Sequence, residues 1–141
     1  MFRVGIGYDS HRLVEGRPLI VGLVRVPFDR GPEGHSDGDV VAHALTDALL
    51  GAAALGDIGR HFPNNDPQWK DADSSVFLKH TLKLLHQAGY HPANVDAVVV
   101  LEKPKLAPHI ESMRAALADV LGLPLNAVSL KAKTAEGLGA V

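Results

Sequence analysis

Apolar residues follow two different periods along this chain, and short apolar runs bounded by glycine and proline predict strands. Two glycines interrupt the first run and allow another main chain to approach closely. The β-branched run Val98-Val99-Val100 is typical of a strand buried on both faces. The four predicted strands are Phe2 to Tyr8, Leu19 to Val26, Val95 to Leu101 and Val128 to Lys133.

Elsewhere an apolar residue recurs every third or fourth position, which predicts amphipathic helices. Asp37 or Asp39 is the predicted N-cap of the first helix, and Asp73-Ser74 caps the second. The three predicted helices run from Gly38 to Gly56, from Ser74 to about Ala88 and from about Pro108 to Leu121.

The remaining segments predict loops, and their order defines a fold class. Asp29 to Asp37 and Thr134 to Val141 are predicted loops, and Gly56 to Pro67 is a loop long enough to suggest a binding role. The order β-β-α-α-β-α-β predicts an α+β fold, with a mixed four-stranded sheet that carries its helices on one face. We expect residues 1–141 to form a single domain.

Composition narrows the class of protein. With 141 residues, 46% hydrophobic and 21% charged, the sequence is that of one ordinary globular domain. A net charge of −2 offers no footprint for nucleic acid. No apolar run approaches the roughly 18 residues of a membrane span, so we expect no membrane partner and a cytoplasmic location. The chain has no cysteine, so a metal would be held by imidazole and carboxylate groups.

Three residues predict such a metal site. Asp9 and His11 end the first predicted strand at positions i and i+2, which share one face. His43 lies in the first predicted helix and could add a second nitrogen, leaving the fourth position of a reactive zinc site open. Taken singly, an aspartate and two histidines are ordinary surface or core residues. Eight histidines without any cysteine favour the metal interpretation.

Other polar residues fit either a structural or a functional role. His35, Ser36 and Asp37 form a turn before a helix, where N–H groups can bind an anion. Lys105 follows a predicted strand and would by default be solvated. Thr134 and Glu136 follow the last strand, where a hydroxyl and a carboxylate could meet a phosphate and a hard divalent ion.

Several motifs together resemble one enzyme family. The stretches Gly5 to His11, His35 to Asp39, Ala42 to Gly59 and Phe62-Pro63 are similar to those of the 2-C-methyl-D-erythritol 2,4-cyclodiphosphate synthases of non-mevalonate isoprenoid biosynthesis. The similarity continues through Pro104 to Ile110 and Lys131 to Gly139. It implies a phosphorus-oxygen lyase that cyclises 4-diphosphocytidyl-2-C-methyl-D-erythritol 2-phosphate and releases CMP. It also implies a homotrimer with its sheets around the threefold axis and its active sites between subunits.

The resemblance further assigns roles to residues. It implies Zn²⁺ on Asp9, His11 and His43, and Mg²⁺ or Mn²⁺ on Glu136 together with the substrate diphosphate. His35 and Thr134 match catalytic positions that stabilise the transition state. The implied substrate-binding residues are Asp9, Ser10, His11, His35, Ser36, Asp57, Ile58, Gly59, Phe62, Pro63, Asn64, Asn65, Asp66, Leu101, Glu102, Lys103, Pro104, Lys105, Leu106, Ala107, Thr134 and Glu136.

The chain departs from the family pattern at a few positions. Asn64 replaces a carboxylate, Lys133 and Ala135 replace two hydroxyls of a Thr-Thr-Thr-Glu run, and Ala140 replaces an aromatic residue. The family's phosphate-binding arginine and last strand would lie beyond Val141.

Two other functions remain open from the sequence. One is a zinc phosphohydrolase, in which the open metal position activates water; no carboxylate of the motifs is placed as its general base. The other is a trimeric carrier of isoprenoid diphosphates in a central cavity, which would not need Asp9, His11 and His43 intact. An isoprenoid diphosphate could also occupy that cavity in the enzyme.

Overall fold

A computed structural model describes residues 1–138 of the chain, so the predictions for Gly139, Ala140 and Val141 lie outside the described residues. The strands are β1 (Leu13–Glu15), β2 (Leu19–Val21), β3 (Val24–Val26), β4 (Arg30–Pro32), β5 (Val95–Val100) and β6 (Val128–Lys133). The helices are α1 (Val40–Ala52), α2 (Ile58–His61), α3 (Ser75–Gln87) and α4 (Ile110–Leu121). Single 3₁₀ turns occupy Pro67–Trp69, Ala107–His109 and Leu125–Ala127.

The strands pair differently from the prediction. Among the described residues they form three two-stranded sheets, antiparallel β1–β4 and β2–β3 and parallel β5–β6, where one mixed four-stranded sheet was predicted. The single strand predicted over 19–26 is a hairpin, because Gly22 and Leu23 turn the chain with φ of 58° and 67°. β4 and α2 lie in segments predicted as loops.

The first predicted strand is the main correction. Residues 2–8 pair with no strand among the described residues; they run along α1 instead. A Cβ on Gly5 or Gly7 would lie 1.8 Å from the carbonyl oxygen of Ala48 or Ala44. The glycines therefore face the helix, and the apolar side chains at the alternate positions of this segment face outward. Phe2 and Ile6, for example, are 94% and 90% exposed.

The three long helices agree with their predictions and enclose the core. α1 packs on α3 and β5, and α4 packs on α3 and β6. The strand β5 alternates, with Val95 and Val99 buried and Val98 and Val100 exposed, so the expectation that it is buried on both faces was wrong. The helices cover one face of the β5–β6 pair, and the other face of β5 remains open. Within the described chain, no helix combines the length and apolar character required to cross a bilayer.

Asp39 fixes the start of α1 against the hairpin. It is the N-cap, and its Oδ1 accepts the N–H groups of Val41 and Ala42 at 3.1 Å each. The same carboxylate accepts the N–H groups of Gly22 and Leu23 at 3.0 and 2.7 Å. One buried side chain thus sets where the helix begins relative to the β2–β3 turn.

Candidate metal centre

Asp9, His11 and His43 converge on one point, as the sequence predicted. The Oδ2 atom of Asp9 lies 2.8 Å from His11 Nε2 and 3.2 Å from His43 Nδ1. The two imidazole nitrogens are 3.3 Å apart. These three atoms form the only group of at least three metal-ligating side chains found within residues 1–138.

The close approach of Gly7 to α1 brings Asp9 and His11 to His43. The main chain of residues 5–7 lies directly on the helix that carries His43, so Asp9 arrives beside that imidazole. His11 is oriented by its other ring nitrogen, since Nδ1–H donates to the Glu33 carbonyl oxygen at 2.9 Å. In that tautomer Nε2 can offer its lone pair to a metal ion shared with Asp9 and His43.

The far side of His43 contacts two hydroxyls. Its Nε2 lies 3.0 Å from Ser74 Oγ and 3.2 Å from Ser36 Oγ. The Ser74 hydroxyl donates in turn to Asp37 Oδ1, and the Ser74 N–H donates to Asp37 Oδ2 at 2.8 Å. His43 is buried and lies against Phe77, with ring centroids 5.6 Å apart.

Electrostatics within the group favour an ionised carboxylate. Burial alone would raise the pKa of Asp9, but hydrogen bonds and charge interactions with His11 and His43 outweigh it and lower this pKa to about 2. The hydrogen bond to Asp9 raises the pKa of His11, although burial opposes the shift. The site therefore presents one negative oxygen between two nitrogens.

The donor set and its spacing fit a tetrahedral dication. Metal–ligand bonds of about 2.0–2.1 Å at tetrahedral angles place neighbouring ligand atoms about 3.3 Å apart. Two of the three separations are 3.2 and 3.3 Å, and the third is 2.8 Å. One carboxylate and two imidazoles are ligands that Zn²⁺ accepts, and a fourth position would remain for water or substrate. These residues fit a zinc ion.

The turn before α1 lies beside the group. Ser36 is buried against His43, and Gly38 donates its N–H to Ser36 Oγ at 3.3 Å. His35 is half-buried, and its Nε2–H donates to the carbonyl oxygen of Asp66 at 2.8 Å. The structure thus brings Ser36 to the metal ligands and ties His35 to the following loop. Ser10 is exposed next to them.

The loop of residues 57–66 is shaped by local caps. Asp57 caps α2 by accepting the Arg60 N–H, and Ile58 donates its N–H to Asp47 Oδ1 at 2.8 Å. Phe62 is buried among Trp69, Phe77 and His80. Of the remaining predicted residues, Gly59, Pro63, Asn64 and Asn65 are exposed, and Asp66 caps the turn Pro67–Trp69.

The segments 101–107 and 134–136 meet each other. Glu102 Oε1 accepts the N–H groups of Ala135 and Gly137 at 2.9 and 3.4 Å. The exposed side chains of Thr134 and Glu136 approach to 3.4 Å. Of the rest, Pro104 is half-buried, Lys105 and Ala107 are exposed, and Leu106 is in the core.

An open cleft of about 460 Å³ lies between residues 101–103 and His11, one of the three candidate metal ligands. Leu101, Glu102 and Lys103 line one side, and His11 and Arg30 line the other. Thr134 and Glu136 do not line this cleft.

Sequence reasoning does not assign Ser74, Asp37 or Arg17 to the metal centre. The sequence indicates capping or turn roles for Ser74 and Asp37, and it places Arg17 in a turn between Gly16 and Pro18. Arg17 donates from Nε to the Pro32 carbonyl at 2.8 Å and from Nη2 to the Ser36 carbonyl at 2.7 Å, which holds the turn beside His43. Nothing in the local sequence identifies that contact, since it joins residues 19 positions apart.

Comparisons with known proteins agree on one family. A model described as the YgbB family matches residues 2–141. A 2-C-methyl-D-erythritol 2,4-cyclodiphosphate synthase of Salinibacter ruber is 60% identical over 139 residues, which cover 99% of this chain and 88% of the relative. The protein of the same name from Gloeobacter violaceus is also 60% identical over 139 residues, covering 99% of this chain and 85% of that relative.

Solved structures give the same result. One described as 2C-methyl-D-erythritol-2,4-cyclodiphosphate synthase in a form bound to CDP is 45% identical, with a TM-score of 0.91. The alignment covers 96% of this chain and 91% of that chain. The likeness therefore extends to the fold as well as to the sequence.

Proposed function

Since the chain belongs to the YgbB family, we propose that it converts 4-diphosphocytidyl-2-C-methyl-D-erythritol 2-phosphate into 2-C-methyl-D-erythritol 2,4-cyclodiphosphate and CMP. An oxygen of the 2-phosphate bonds to the β-phosphorus, and the bond from that phosphorus to the oxygen of the α-phosphate breaks. The released CMP carries away that oxygen. The convergence of Asp9, His11 and His43 is the observation that carries this function.

The three converging side chains would hold Zn²⁺. The ion, when bound, supplies positive charge and Lewis acidity to the diphosphate that reacts. The chain's own contribution is orientation: Glu33 fixes the ring of His11, and the packing of Gly7 on α1 places Asp9. Catalysis of this kind depends mainly on positioning and charge neutralisation, because anionic groups must approach one another.

Glu136 would hold the second ion, Mg²⁺ or Mn²⁺, together with the substrate diphosphate. Its carboxylate is exposed, and the nearest hydroxyl, that of Thr134, is 3.4 Å away. A hard cation bound mainly by one carboxylate and substrate phosphates is the usual arrangement for Mg²⁺. Thr134 would then donate its hydroxyl to the same diphosphate.

The remaining substrate contacts are assigned by position. Ser36, in the turn before α1, would donate its hydroxyl proton to a phosphate oxygen next to the candidate metal ligands. His35 precedes it in that turn and would line the same phosphate site. The loop of Asp57 to Asp66 would contact the erythritol portion. The segment 101–107 would receive the cytidine; Leu106 would contribute main-chain atoms, because its side chain is in the core.

We also propose the homotrimer. The first segment exposes a row of large apolar side chains, each at least 75% accessible: Phe2, Val4, Ile6 and Tyr8. A monomer normally does not leave this much continuous apolar surface in contact with water. Val98 adds to the open face of β5. Sheets gathered around a threefold axis would cover these residues and could enclose an isoprenoid diphosphate. Sedimentation of an Ile6→Asp variant should show monomers; an unchanged trimer would contradict the assignment of this surface.

Product analysis tests the function directly. Purified protein is incubated with the cytidylylated substrate, Zn²⁺ and Mg²⁺, and the products are followed by phosphorus NMR. Cyclic diphosphate with an equal amount of CMP is expected. Inorganic phosphate would identify the zinc phosphohydrolase instead, and intact substrate that stays bound would favour a carrier.

A further inference from the structure

Ser74 occupies the N-cap position of α3, but its side chain makes no capping hydrogen bond. It precedes α3, where a serine hydroxyl ordinarily accepts an N–H of the first turn, yet no such bond forms. Its Oγ instead lies 3.0 Å from His43 Nε2 and donates its proton to Asp37. Ser74 is completely buried, so these two polar contacts replace both the cap and solvent.

Proton positions set the direction of this chain of hydrogen bonds. An ionised carboxylate only accepts, so the Ser74 hydroxyl proton lies toward Asp37. Asp37 is itself held by N–H groups of Ser74 and Asp39 at 2.8 and 3.1 Å. The Ser74 oxygen is then left as an acceptor, and His43 Nε2 must be the donor.

A neutral imidazole carries one N–H, so a proton on Nε2 leaves Nδ1 with a lone pair. Nδ1 is the atom that faces Asp9 Oδ2 and His11 Nε2, at 3.2 and 3.3 Å. Ser36 lies 3.2 Å from the same Nε2 and could donate to it, which would favour the opposite tautomer. The Asp9 carboxylate, 3.2 Å from Nδ1, also favours a proton on that nitrogen. The Ser74–Asp37 pair opposes both influences and favours the proton on Nε2.

We propose that Ser74 and Asp37 are positioning residues that hold His43 in the tautomer able to ligate zinc through Nδ1. Outer hydrogen bonds of this kind commonly change metal affinity 10- to 100-fold. This inference rests on the metal centre of the proposed function, but it assigns new residues to that centre. They act through His43, because Ser74 contacts its Nε2, the ring nitrogen that does not face Asp9 and His11, and Asp37 contacts Ser74.

Zinc affinity is the first test. The dissociation constant for Zn²⁺ is measured by chelator competition on the full chain. Ser74→Ala is expected to raise it about 10- to 100-fold, and Asp37→Asn to raise it in the same direction. Ser74→Thr keeps the hydroxyl and is expected to restore most of the affinity. The matched control is Ser75→Ala, one residue along, which should stay within about twofold of wild type.

The tautomer of His43 is the second test, because a loss of packing alone would not change it. Nitrogen-15 chemical shifts of the zinc-bound protein are expected to show Nδ1 of His43 bound to the ion and a hydrogen-bonded Nε2–H in wild type. In Ser74→Ala the Nε2–H should lose the shift that this hydrogen bond causes. Wild type that binds zinc through Nε2 of His43, or unchanged zinc affinity in both Ser74→Ala and Asp37→Asn, would overturn the inference. A wild type that binds no zinc would overturn the proposed metal centre itself. Neither measurement depends on turnover.

Discussion

Gly7 lies so close to Ala44 that a Cβ on the glycine would be 1.8 Å from the helix carbonyl oxygen. This contact lets an extended segment lie directly on α1. It places Asp9, two residues later, within 3.2 Å of His43. The geometry of the candidate metal centre therefore depends on a residue that has no side chain.

Gly7→Ala should move Asp9 and His11 away from His43. A methyl group against fixed main chain must push the segment away from α1, at a cost of about 3 kcal/mol in the free energy of unfolding. The zinc dissociation constant should rise at least about tenfold, since Asp9 and His11 move together with the segment. Denaturant titration and chelator competition measure the two effects.

The control for that variant is Gly51→Ala. Gly51 lies in α1, and a Cβ added there would meet no atom within 4 Å outside the backbone of its own helix. Alanine at this position should stabilise the helix by up to about 1 kcal/mol. If Gly7→Ala behaves like Gly51→Ala, the close approach does not position the centre.

His43→Ala should remove zinc and turnover but keep the fold. One of the two ligand nitrogens disappears, and the cavity left beside Phe77 costs about 2 kcal/mol. Zinc affinity should fall by more than about 100-fold, beyond the range of outer-contact mutations. Metal content, turnover and circular dichroism measure the result.

His86→Ala provides the comparison, because His86 is exposed in the last turn of α3 and belongs to no group of metal-ligating side chains among residues 1–138. It should retain zinc and activity. A His43→Ala protein that is active and replete with zinc would refute the assignment of the centre.

Glu136→Gln should alter the requirement for the second ion. An amide oxygen lacks the charge of a carboxylate, so the Mg²⁺ or Mn²⁺ concentration for half-maximal activity should rise about tenfold or more. The release of CMP should slow at limiting metal. Rates measured across a metal titration test this.

Glu111→Gln is a suitable control, since Glu111 pairs with Arg114 on the exposed side of α4. If Glu136→Gln and Glu111→Gln give the same metal titration as wild type, Glu136 is not a ligand of the second ion.

Asp39 should give the stability of the protein a pH dependence of its own. Burial, together with the neighbouring charge of Asp37, raises the pKa of Asp39 to about 6, although N–H groups of Leu23, Ala42 and Gly22 oppose the shift. The folded state therefore holds this proton more tightly than the unfolded chain, whose pKa is near 3.8. The stabilisation that protonated Asp39 gives to the folded state is fully present below pH 3.8 and is lost as the pH rises through about 6.

From pH 4 to pH 6 the free energy of unfolding should fall by about 2 kcal/mol because of this group. Asp9 shifts in the opposite direction, with a pKa lowered to about 2, so its effect lies below pH 4. Denaturant titrations of zinc-free wild type and Asp39→Asn between pH 4 and pH 6 separate the effect of Asp39 from that of Asp9. Parallel pH profiles for the two proteins would contradict the assignment to Asp39.

Local sequence is a good guide to the helices and a poor one to the sheets. The spacing of apolar residues predicts α1, α3 and α4, and β6 agrees over Val128 to Lys133. The turn at Gly22-Leu23 is not predictable in this way, because Leu23 adopts a positive φ that is unusual for leucine. The segment of residues 2–8 has the composition of a strand, but composition does not say which partner it meets.

The sequence by itself determined the three long helices, the identity of the three side chains in the candidate metal centre and the family resemblance. These depend on residues within a few positions of one another or on the kinds of side chain present. Only the tertiary structure decided that Ser74 and Asp37 bind each other across 37 positions and orient His43 instead of capping α3. The physical reason is that a hydroxyl or carboxylate takes whichever donor or acceptor the packing of distant elements brings to it.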